Sequence, residues 1–292
     1  MSANSLIATL TAKGPVLTDG AWGTQLQARG LPPGEVGDFW NLAHPERVEE
    51  VARAYVDAGS QIILTNTFRA NRIALERYSE RDRVVDINRA GVEISRRAAQ
   101  GRALVFASIG PSGKLLMRRD ISESALAAAF AEQAQALADA GADALLVETM
   151  IDVVEARMAV AAAAATGLPV VACMVFDAGK SKDRTMMGVT PQQAVVELTR
   201  AGAQAIGANC GIGIEQIVPI CAAMAAATDQ PIWIKPNAGI PEWVDGEVIY
   251  RMTPEAFAGH VPQLIAAGAR FIGGCCGTTP EFIAALRLQL RA

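Results

Sequence analysis

The sequence has no basic cluster, only two histidines and no long apolar run. Its net charge is −4, and this charge without a basic stretch argues against nucleic acid or an anionic membrane surface as partner. No stretch approaches the roughly 20 apolar residues of a membrane-spanning helix. Residues 1–17 also lack a charged segment followed by an apolar core, so no secretory signal is expected. These absences predict a cytoplasmic protein that acts on small molecules or other proteins.

Histidine is too scarce to favour a hydrolytic metal site. Such sites tend to use imidazole and carboxylate ligands, and both His44 and His260 fall at or within predicted helices, where structural or solvated roles are expected. The five cysteines are an odd number, which disfavours a disulfide framework in a chain of this kind. Metal binding or catalysis is therefore the more expected use of these cysteines. They are Cys173, Cys210, Cys221, Cys275 and Cys276.

What the sequence does contain is a repeated joint between a helix and a strand. One pattern occurs four times, as AGSQIILTN (58–66), AGADALLVE (140–148), AGAQAIGAN (201–209) and AGARFIGGC (267–275). Each copy follows a stretch with apolar residues at helical spacing, and its glycine suits the end of a helix. The apolar run after the glycine has the length of a strand buried on both faces of a parallel sheet.

Four more apolar runs complete the pattern, at 15–19, 103–110, 168–176 and 231–236. Interleaved with the repeats, they predict eight strands alternating with helices near 45–58, 82–100, 122–140, 152–166, 190–201, 213–228, 253–267 and 280–290. This alternation, without a linker, predicts a single-domain (β/α)8 TIM barrel over residues 1–292. An open doubly wound sheet is the alternative, but no Gly-rich dinucleotide fingerprint follows the first strand.

Polar residues stand where the four repeats end. The ends carry Asn66 and Thr67, Glu148 and Thr149, Asn209 and Cys210, and Cys275 and Cys276. Because the carboxyl ends of barrel strands form the catalytic face, these side chains are expected to converge. The pattern therefore predicts that Cys210 lies close to Cys275 and Cys276.

Three converging thiolates suggest a zinc site with one open position. The alternative is that these cysteines are small buried hydrophobic residues, which suits Cys173 and Cys221 better than adjacent thiols flanked by glycines 273, 274 and 277. Neighbouring Cα atoms are about 3.8 Å apart, too close for a relaxed disulfide between Cys275 and Cys276. Since a metal-bound thiol is deprotonated, an external thiol in the open position would be held as a nucleophile.

The motifs resemble those of the homocysteine S-methyltransferase family. The matching stretches are DGAWGTQL (19–26), TNTFRANRIAL (65–75), VETM (147–150), GANC (207–210), KPNAG (235–239) and GGCCGTTPE (273–281). The resemblance implies that Cys210, Cys275 and Cys276 are the catalytic, Zn²⁺-binding residues, and that homocysteine sulfur completes the tetrahedron. It further implies the substrate-binding set Asp19, Gly20, Thr24, Glu148, Asn209 and Asn237.

Within that set, Asp19 and Glu148 are expected to hold the amino group of homocysteine, while N–H groups of the DGAWGT turn receive its carboxylate. By resemblance to cobalamin-dependent members, the side-chain oxygen of Asn237 is expected in the fourth zinc position when substrate is absent. The product would be methionine, formed by in-line methyl transfer to the thiolate.

The methyl donor stays open at this point. The resemblance places Trp40, Phe68, Arg69 and Thr149 in the donor pocket, and Arg69 and Thr149 stand where betaine-dependent members have tyrosines. The donor alternatives are an S-methylmethionine-like compound, a methylamine-like compound or a methylcorrinoid protein. Two other functions are also open: a non-catalytic or thiol-regulatory zinc barrel that serves a corrinoid methyltransferase system, and a phosphate-binding loop at GGCCGT.

Overall fold

The computed structural model describes residues 3–78, 80–119, 121–244 and 247–291. It contains a parallel eight-stranded sheet with strands β1 to β7 and β10, and a separate antiparallel hairpin of β8 and β9. The strands are β1 Val16–Leu17, β2 Ile62–Leu64, β3 Leu104–Ile109, β4 Ala144–Met150, β5 Val170–Met174, β6 Ala205–Gly213, β7 Ile232–Asn237, β8 Glu242–Val244, β9 Glu247–Ile249 and β10 Ala269–Ile272.

Most of the helices lie on the outer side of the sheet. They are α1 Ala3–Thr11, α2 Gly23–Gln27, α3 Trp40–Ala43, α4 Pro45–Ala58, α5 Arg72–Glu76, α6 Val84–Ala99, α7 Glu123–Asp139, α8 Val153–Ala164, α9 Pro191–Ala201, α10 Ile214–Ala225, α11 Pro254–Ala258, α12 Val261–Ala266 and α13 Pro280–Arg291. Short 3-10 turns cover Gly37–Phe39, Arg81–Arg83 and Leu116–Arg118. In the described part of the chain, none of the helices is both long and apolar enough to cross a membrane.

The sheet closes on itself to form a barrel. Its order is β1-β10-β7-β6-β5-β4-β3-β2, and β1 meets β2 through Gln61, whose backbone N–H donates to Leu17 O at 2.8 Å. The Gln61 side-chain oxygen accepts from Leu17 N at 2.9 Å, which completes the junction. The predicted (β/α)8 TIM barrel is confirmed.

The barrel interior is a packed apolar core. The rings of Phe106, Trp233 and Phe271 stack across it, with centroids 5.9 Å and 5.0 Å apart for successive pairs. Ile7 of α1 belongs to the same buried cluster. A larger apolar cluster joins the strands to the surrounding helices, so the polar groups at the carboxyl ends of the strands lie above a packed apolar core.

Local sequence explains where the best-defined helices begin and end. The α9 helix starts with a capping box in which Thr190 and Gln193 bond each other's backbone N–H, and it ends at Gly202 with φ of 113°. A side chain at that φ would be strained, so glycine suits the position. The same device ends α4 at Gly59, with φ of 108°.

The predicted helix over 253–267 is wrong in one respect. The structure has two short helices there, α11 and α12, separated by Gly259 and His260. Pro262 lies in the first turn of α12, and its ring has no N–H to continue a helix from α11.

Candidate metal and substrate site

A cavity of about 450 Å³ opens at the carboxyl ends of the barrel strands. Its wall includes all three cysteines expected to bind zinc. The other wall residues that bear on its chemistry are Gly20, Thr24, Phe68, Arg69, Ser108, Glu148, Thr149 and Lys235. Side chains far apart in sequence therefore meet in one space, as expected for a parallel barrel.

The sulfur atoms of Cys210, Cys275 and Cys276 lie within 4.8 Å of one another. The Sγ atoms of Cys210 and Cys276 are 3.8 Å apart. Two thiolates on a tetrahedral zinc at about 2.3 Å would be separated by about 3.8 Å. The three cysteines thus have both the ligand type and the spacing that fit a metal ion, with half-buried side chains facing the cavity.

The neighbouring strands hold the cysteines in place. Cys210 lies in β6 with φ of 62°, a left-handed conformation that is uncommon outside glycine and costs energy. The backbone N–H of Cys275 donates to Pro236 O of β7 at 2.7 Å, and Cys276 O accepts from Ala238 N at 2.9 Å. The strand between the two groups of ligands therefore fixes the position of the Cys275–Cys276 pair.

Two glycines beside this pair have different roles. Gly277 has φ of 81°, which fits the expectation that glycine lets the chain bend here. At Gly274, a Cβ would lie 2.4 Å from Thr278 Oγ1, so this glycine is required by close packing rather than by a bend.

Without a cation, the three thiols hold their protons. A hydrogen bond from Cys275 lowers the pKa of Cys210, but the contact with Cys276 and burial outweigh it and raise that pKa to about 12. A hydrogen bond from Cys210 likewise lowers the pKa of Cys276, while Cys275 and burial raise it to about 12. Neighbouring thiolates repel each other, so the cluster can ionise fully only beside a compensating positive charge.

Glu148 ends β4 and presents its carboxylate to the cavity. Its Oε1 accepts from Ser108 Oγ at 2.5 Å and its Oε2 accepts from Asn209 Nδ2 at 3.3 Å. Burial raises the pKa of Glu148, while the charge of Lys235 and the Ser108 hydrogen bond act in the opposite direction. The side chain is thus oriented by β3, through Ser108, and by β6, through Asn209.

Asn209 connects the ends of β4 and β6. Its Oδ1 accepts from Thr149 N at 2.8 Å, and its Nδ2 donates to Thr149 Oγ1 at 2.7 Å. Thr149 has φ of 60°, so these bonds hold an unfavourable backbone conformation beside the cysteines. Asn209 is itself buried, and Thr149 is the member of the pair that lines the cavity.

Asp19 and Lys235 form a buried ion pair that the sequence analysis did not anticipate. Lys235 Nζ lies 2.5 Å from Asp19 Oδ1. Burial acts to lower the pKa of Lys235, but the charges of Asp19 and Glu148 outweigh it and raise the pKa above its ordinary value. The available signal was a lysine inside the apolar strand PIWIKP, which needs a buried partner.

Two residues assigned to substrate or metal have side-chain oxygens without a partner. Within the described ranges, Thr24 Oγ1 and Asn237 Oδ1 are buried and accept or donate no hydrogen bond. Thr24 and Gly20 line the cavity, whereas Asn237 ends β7 next to the cysteine pair. A buried polar atom without a partner is costly, so both oxygens are suited to a further ligand.

The four residues expected in the donor pocket do not all reach the cavity. Phe68, Arg69 and Thr149 line it, but Trp40 is 2% exposed and lies behind the wall, where its Nε1 donates to Glu35 Oε1 at 3.1 Å. Trp40 sits in α3, which packs against α4 and α6, and the indole contacts the cavity wall at Glu35 without lining the cavity itself.

Asp38 adds a carboxylate to the donor side of the wall. Its Oδ1 accepts from the backbone N–H of Arg69 at 2.7 Å. Burial raises its pKa to about 6, although the Arg69 backbone and charge act in the opposite direction. This half of the cavity therefore combines a guanidinium with an acid that titrates near neutral pH.

Comparison with known proteins places this arrangement in a family. The model of the homocysteine S-methyltransferase family matches residues 16–290. Methionine synthase of Mycobacterium tuberculosis is 30% identical over 284 residues, which cover 91% of this chain and 24% of that protein. Methionine synthase of Mycobacterium leprae is also 30% identical, with 95% and 24% covered. This chain thus spans about a quarter of the length of these curated relatives.

Solved structures of an Escherichia coli protein are also similar over most of the chain. The metallated form of the homocysteine methyltransferase MmuM aligns with a TM-score of 0.80 and 28% identity, covering 97% of this chain and 99% of that chain. Its apo form aligns with a TM-score of 0.72 and 27% identity, covering 94% and 95%. With the family model matched across nearly the whole barrel, the chain belongs to the homocysteine S-methyltransferase family.

Proposed function

We propose that this protein is a zinc-dependent S-methyltransferase that converts homocysteine to methionine. The observation that carries the proposal is the group of three cysteine sulfurs within 4.8 Å of one another at a cavity that also contains Glu148. Membership of the homocysteine S-methyltransferase family supports the choice of substrate. The composition further supports a cytoplasmic setting, with neither nucleic acid nor membrane as partner.

In this proposal, Cys210, Cys275 and Cys276 hold the ion and leave one position free. When bound, zinc supplies the positive charge that keeps sulfur ligands ionised at neutral pH. Asn237 has a buried oxygen without a partner beside the cysteine pair, so it is the candidate for the free position in the absence of substrate. The protein's own task is to present the thiol in one orientation.

The amino-acid end of homocysteine would be held at the part of the cavity wall that contains Glu148. Glu148 is fixed by Ser108 and Asn209, and its carboxylate is a suitable acceptor for an ammonium group. Gly20, from the turn after β1, and Thr24, from the first turn of α2, also line the cavity. Asp19 does not line the cavity. Its carboxylate forms an ion pair with Lys235, which does line the cavity.

Methyl transfer itself requires alignment rather than a proton acceptor. A sulfur–carbon bond forms as the bond from the donor to the methyl carbon breaks, and the electron pair of the broken bond leaves with the donor. The thiol proton would pass to solvent water before the transfer step, because zinc, when bound, would favour the thiolate, so the transfer step itself needs no base. The cavity wall then acts mainly by holding donor and acceptor in line.

The donor would enter beside Phe68, Arg69 and Thr149. Arg69 brings a positive charge and Asp38 a titratable carboxylate to this side. The candidates remain an S-methylmethionine-like sulfonium, a methylamine-like compound and a methylcorrinoid protein. Screening these donors with zinc-loaded protein and homocysteine, with methionine as the measured product, tests the proposal.

The screen needs a metal-site variant and a matched control. Cys276→Ser is expected to abolish methionine formation with every donor. Cys221→Ser is expected to retain it, because Cys221 lies in α10 and its thiol donates to Ala267 O, a bond that a hydroxyl can replace. Full activity of Cys276→Ser would refute the proposal, and zinc binding without homocysteine binding would favour the thiol-regulatory alternative.

A further inference from the structure

Tyr250 packs against the loop that carries two of the three cysteines of the candidate metal site. It directly follows β9, and its ring lies over Gly277. A Cβ at position 277 would come within 2.2 Å of Tyr250 Cγ and 2.5 Å of Tyr250 Cδ2. Any side chain there would displace the ring, so the glycine lets Tyr250 pack directly on the residue that follows Cys276.

The chain around Tyr250 holds the ring in this place. The β8 and β9 strands pair antiparallel, and Arg251 Nε donates to Glu242 Oε2 at 2.6 Å, which ties the end of the hairpin to its start. The side chains of Tyr250 and Met252 both pack against the larger apolar cluster. Tyr250 is therefore half-buried and fixed from both sides.

The hydroxyl group of Tyr250 is close enough to the cysteines to affect their ionisation. Burial raises the pKa of Tyr250, and the charges of Cys276, Cys210 and Cys275 raise it further. Contacts with Cys210 and Cys275 have the largest effects on the pKa of Cys276, and a hydrogen bond from Tyr250 then lowers it. The tyrosine hydroxyl is thus within reach of the Cys276 sulfur.

The other two sulfurs also have an N–H donor beside them. Asn209 Nδ2 lies 4.0 Å from Cys275 Sγ, and the backbone N–H of Gly211 lowers the pKa of Cys210, after the larger effects of Cys275 and Cys276. Three ionised sulfurs around one divalent ion carry an excess of negative charge, and a thiolate substrate adds to it. Hydrogen bonds to ionised acceptors are the strong ones, so a donor at each sulfur offsets part of this excess.

We propose that Tyr250 is a positioning residue of the metal site, whose hydroxyl donates a hydrogen bond to the sulfur of Cys276 and draws electron density from it. This inference rests on the proposed function, because it assumes that the three cysteines hold a divalent ion. It differs from a packing role, in which the ring would only cover Gly277 and the hydroxyl would be dispensable.

The test removes the hydroxyl and keeps the ring. Tyr250→Phe is loaded with Co²⁺, whose sulfur-to-metal charge-transfer absorption reports the electron density on the ligand sulfurs. A hydrogen bond stabilises the sulfur electrons, so its loss should move this band to longer wavelength. Tyr78→Phe is the matched control, since Tyr78 is also half-buried and packs edge-on against Phe39, with ring centroids 5.7 Å apart.

The position of the band decides the outcome. Tyr250→Phe is expected to shift it and to bind Zn²⁺ about 10-fold more weakly in competition with a chelator, as for loss of other outer-shell partners, while Tyr78→Phe changes neither. An unchanged band in Tyr250→Phe, or an equal shift in Tyr78→Phe, would overturn the inference.

A second variant separates the hydroxyl from the ring. Tyr250→Leu lacks both, so a band that moves in Tyr250→Leu but not in Tyr250→Phe would assign Tyr250 a packing role and reject the hydrogen bond. Failure of the unmodified protein to bind Co²⁺ or Zn²⁺ would instead overturn the proposed function.

Discussion

At the scale of single residues, the chemistry depends on three thiols that cannot all ionise by themselves. Cys210 and Cys276 each have a pKa of about 12 in the absence of a cation, and the contact with Cys210 and burial raise the pKa of Cys275 well above its ordinary value. A bound divalent ion would instead favour the deprotonated form of these thiols. The ion and the thiolates are therefore interdependent.

Replacement of one ligand is expected to remove most of the metal affinity. Cys210→Ser should weaken zinc binding by more than about 100-fold, since outer-shell changes alone cost 10- to 100-fold. Cys173→Ala is the matched control, because this cysteine is buried in the apolar barrel interior. The ratio of zinc to protein after competition with a chelator measures the effect. Equal zinc retention in both variants would contradict the assignment.

Asp38 is expected to make stability depend on pH. Its pKa rises from 3.8 to about 6 in the folded protein, so the folded state binds the proton more tightly than the unfolded state. Stability contributed by the protonated group is therefore lost as pH rises from about 4 to 6. The rise in pKa corresponds to about 3 kcal/mol at neutral pH.

Asp38→Asn should remove this loss of stability at neutral pH, because asparagine does not ionise. The variant is expected to match the unmodified protein near pH 4 and to exceed it by up to about 3 kcal/mol above pH 7, as measured by urea unfolding across this range. Asp86→Asn, at an exposed position, serves as control. Parallel pH profiles for Asp38→Asn and the unmodified protein would disprove the role of Asp38.

At the scale of elements, the sequence predicts the strands better than the segments outside the repeat. The eight barrel strands follow from buried apolar runs, and the meeting of Cys210 with the Cys275–Cys276 pair follows from the parallel topology. The β8–β9 hairpin and α1 lie outside that alternation, so no pattern predicted them. The break between α11 and α12 depends on Gly259 and Pro262. These residues interrupt a helix locally, whereas the apolar spacing that predicted a helix over 253–267 continues past them.

The site is only partly predictable for a related reason. Repeat ends identify Glu148 and Asn209, because these ends coincide with the catalytic face. Lys235 escaped prediction because its partner, Asp19, is 216 residues away in sequence. The burial of Trp40 likewise depends on how α3 packs against α4 and α6, which a short motif does not encode.

The contact between β6 and β7 leaves no room for a side chain at Gly207. A Cβ there would lie 1.8 Å from Trp233 O, so Gly207→Ala should cost about 3 kcal/mol of unfolding free energy, the upper end of the usual cost of overpacking. Gly23→Ala is the control, because a Cβ there meets nothing within 4 Å at the start of α2. Chemical denaturation measures both variants, and equal stability would contradict the close approach of these strands.

At the scale of the whole molecule, the candidate metal site joins the chain near β6 to the chain after β10. These two strands flank β7 in the barrel, and the apolar core beneath them is complete without the ion. The ion is therefore expected to stabilise a barrel that already exists, rather than to create it.

Removal of zinc should lower the melting temperature without unfolding the protein. Zinc at about 100 times its dissociation constant contributes about 2.7 kcal/mol, which corresponds to roughly 5 °C for a chain of this size. Circular dichroism in the far ultraviolet should stay unchanged after chelation at 25 °C, with melting measured by calorimetry. Loss of helical signal on chelation would show that the fold depends on the metal.

The central claim is that three cysteines hold a zinc ion whose free position takes the thiol of homocysteine. X-ray absorption at the zinc edge measures this directly, with and without homocysteine. The account predicts three sulfur ligands and one light ligand before addition, and four sulfur ligands at about 2.3 Å afterwards. A sulfur count that stays at three when homocysteine is saturating would contradict it.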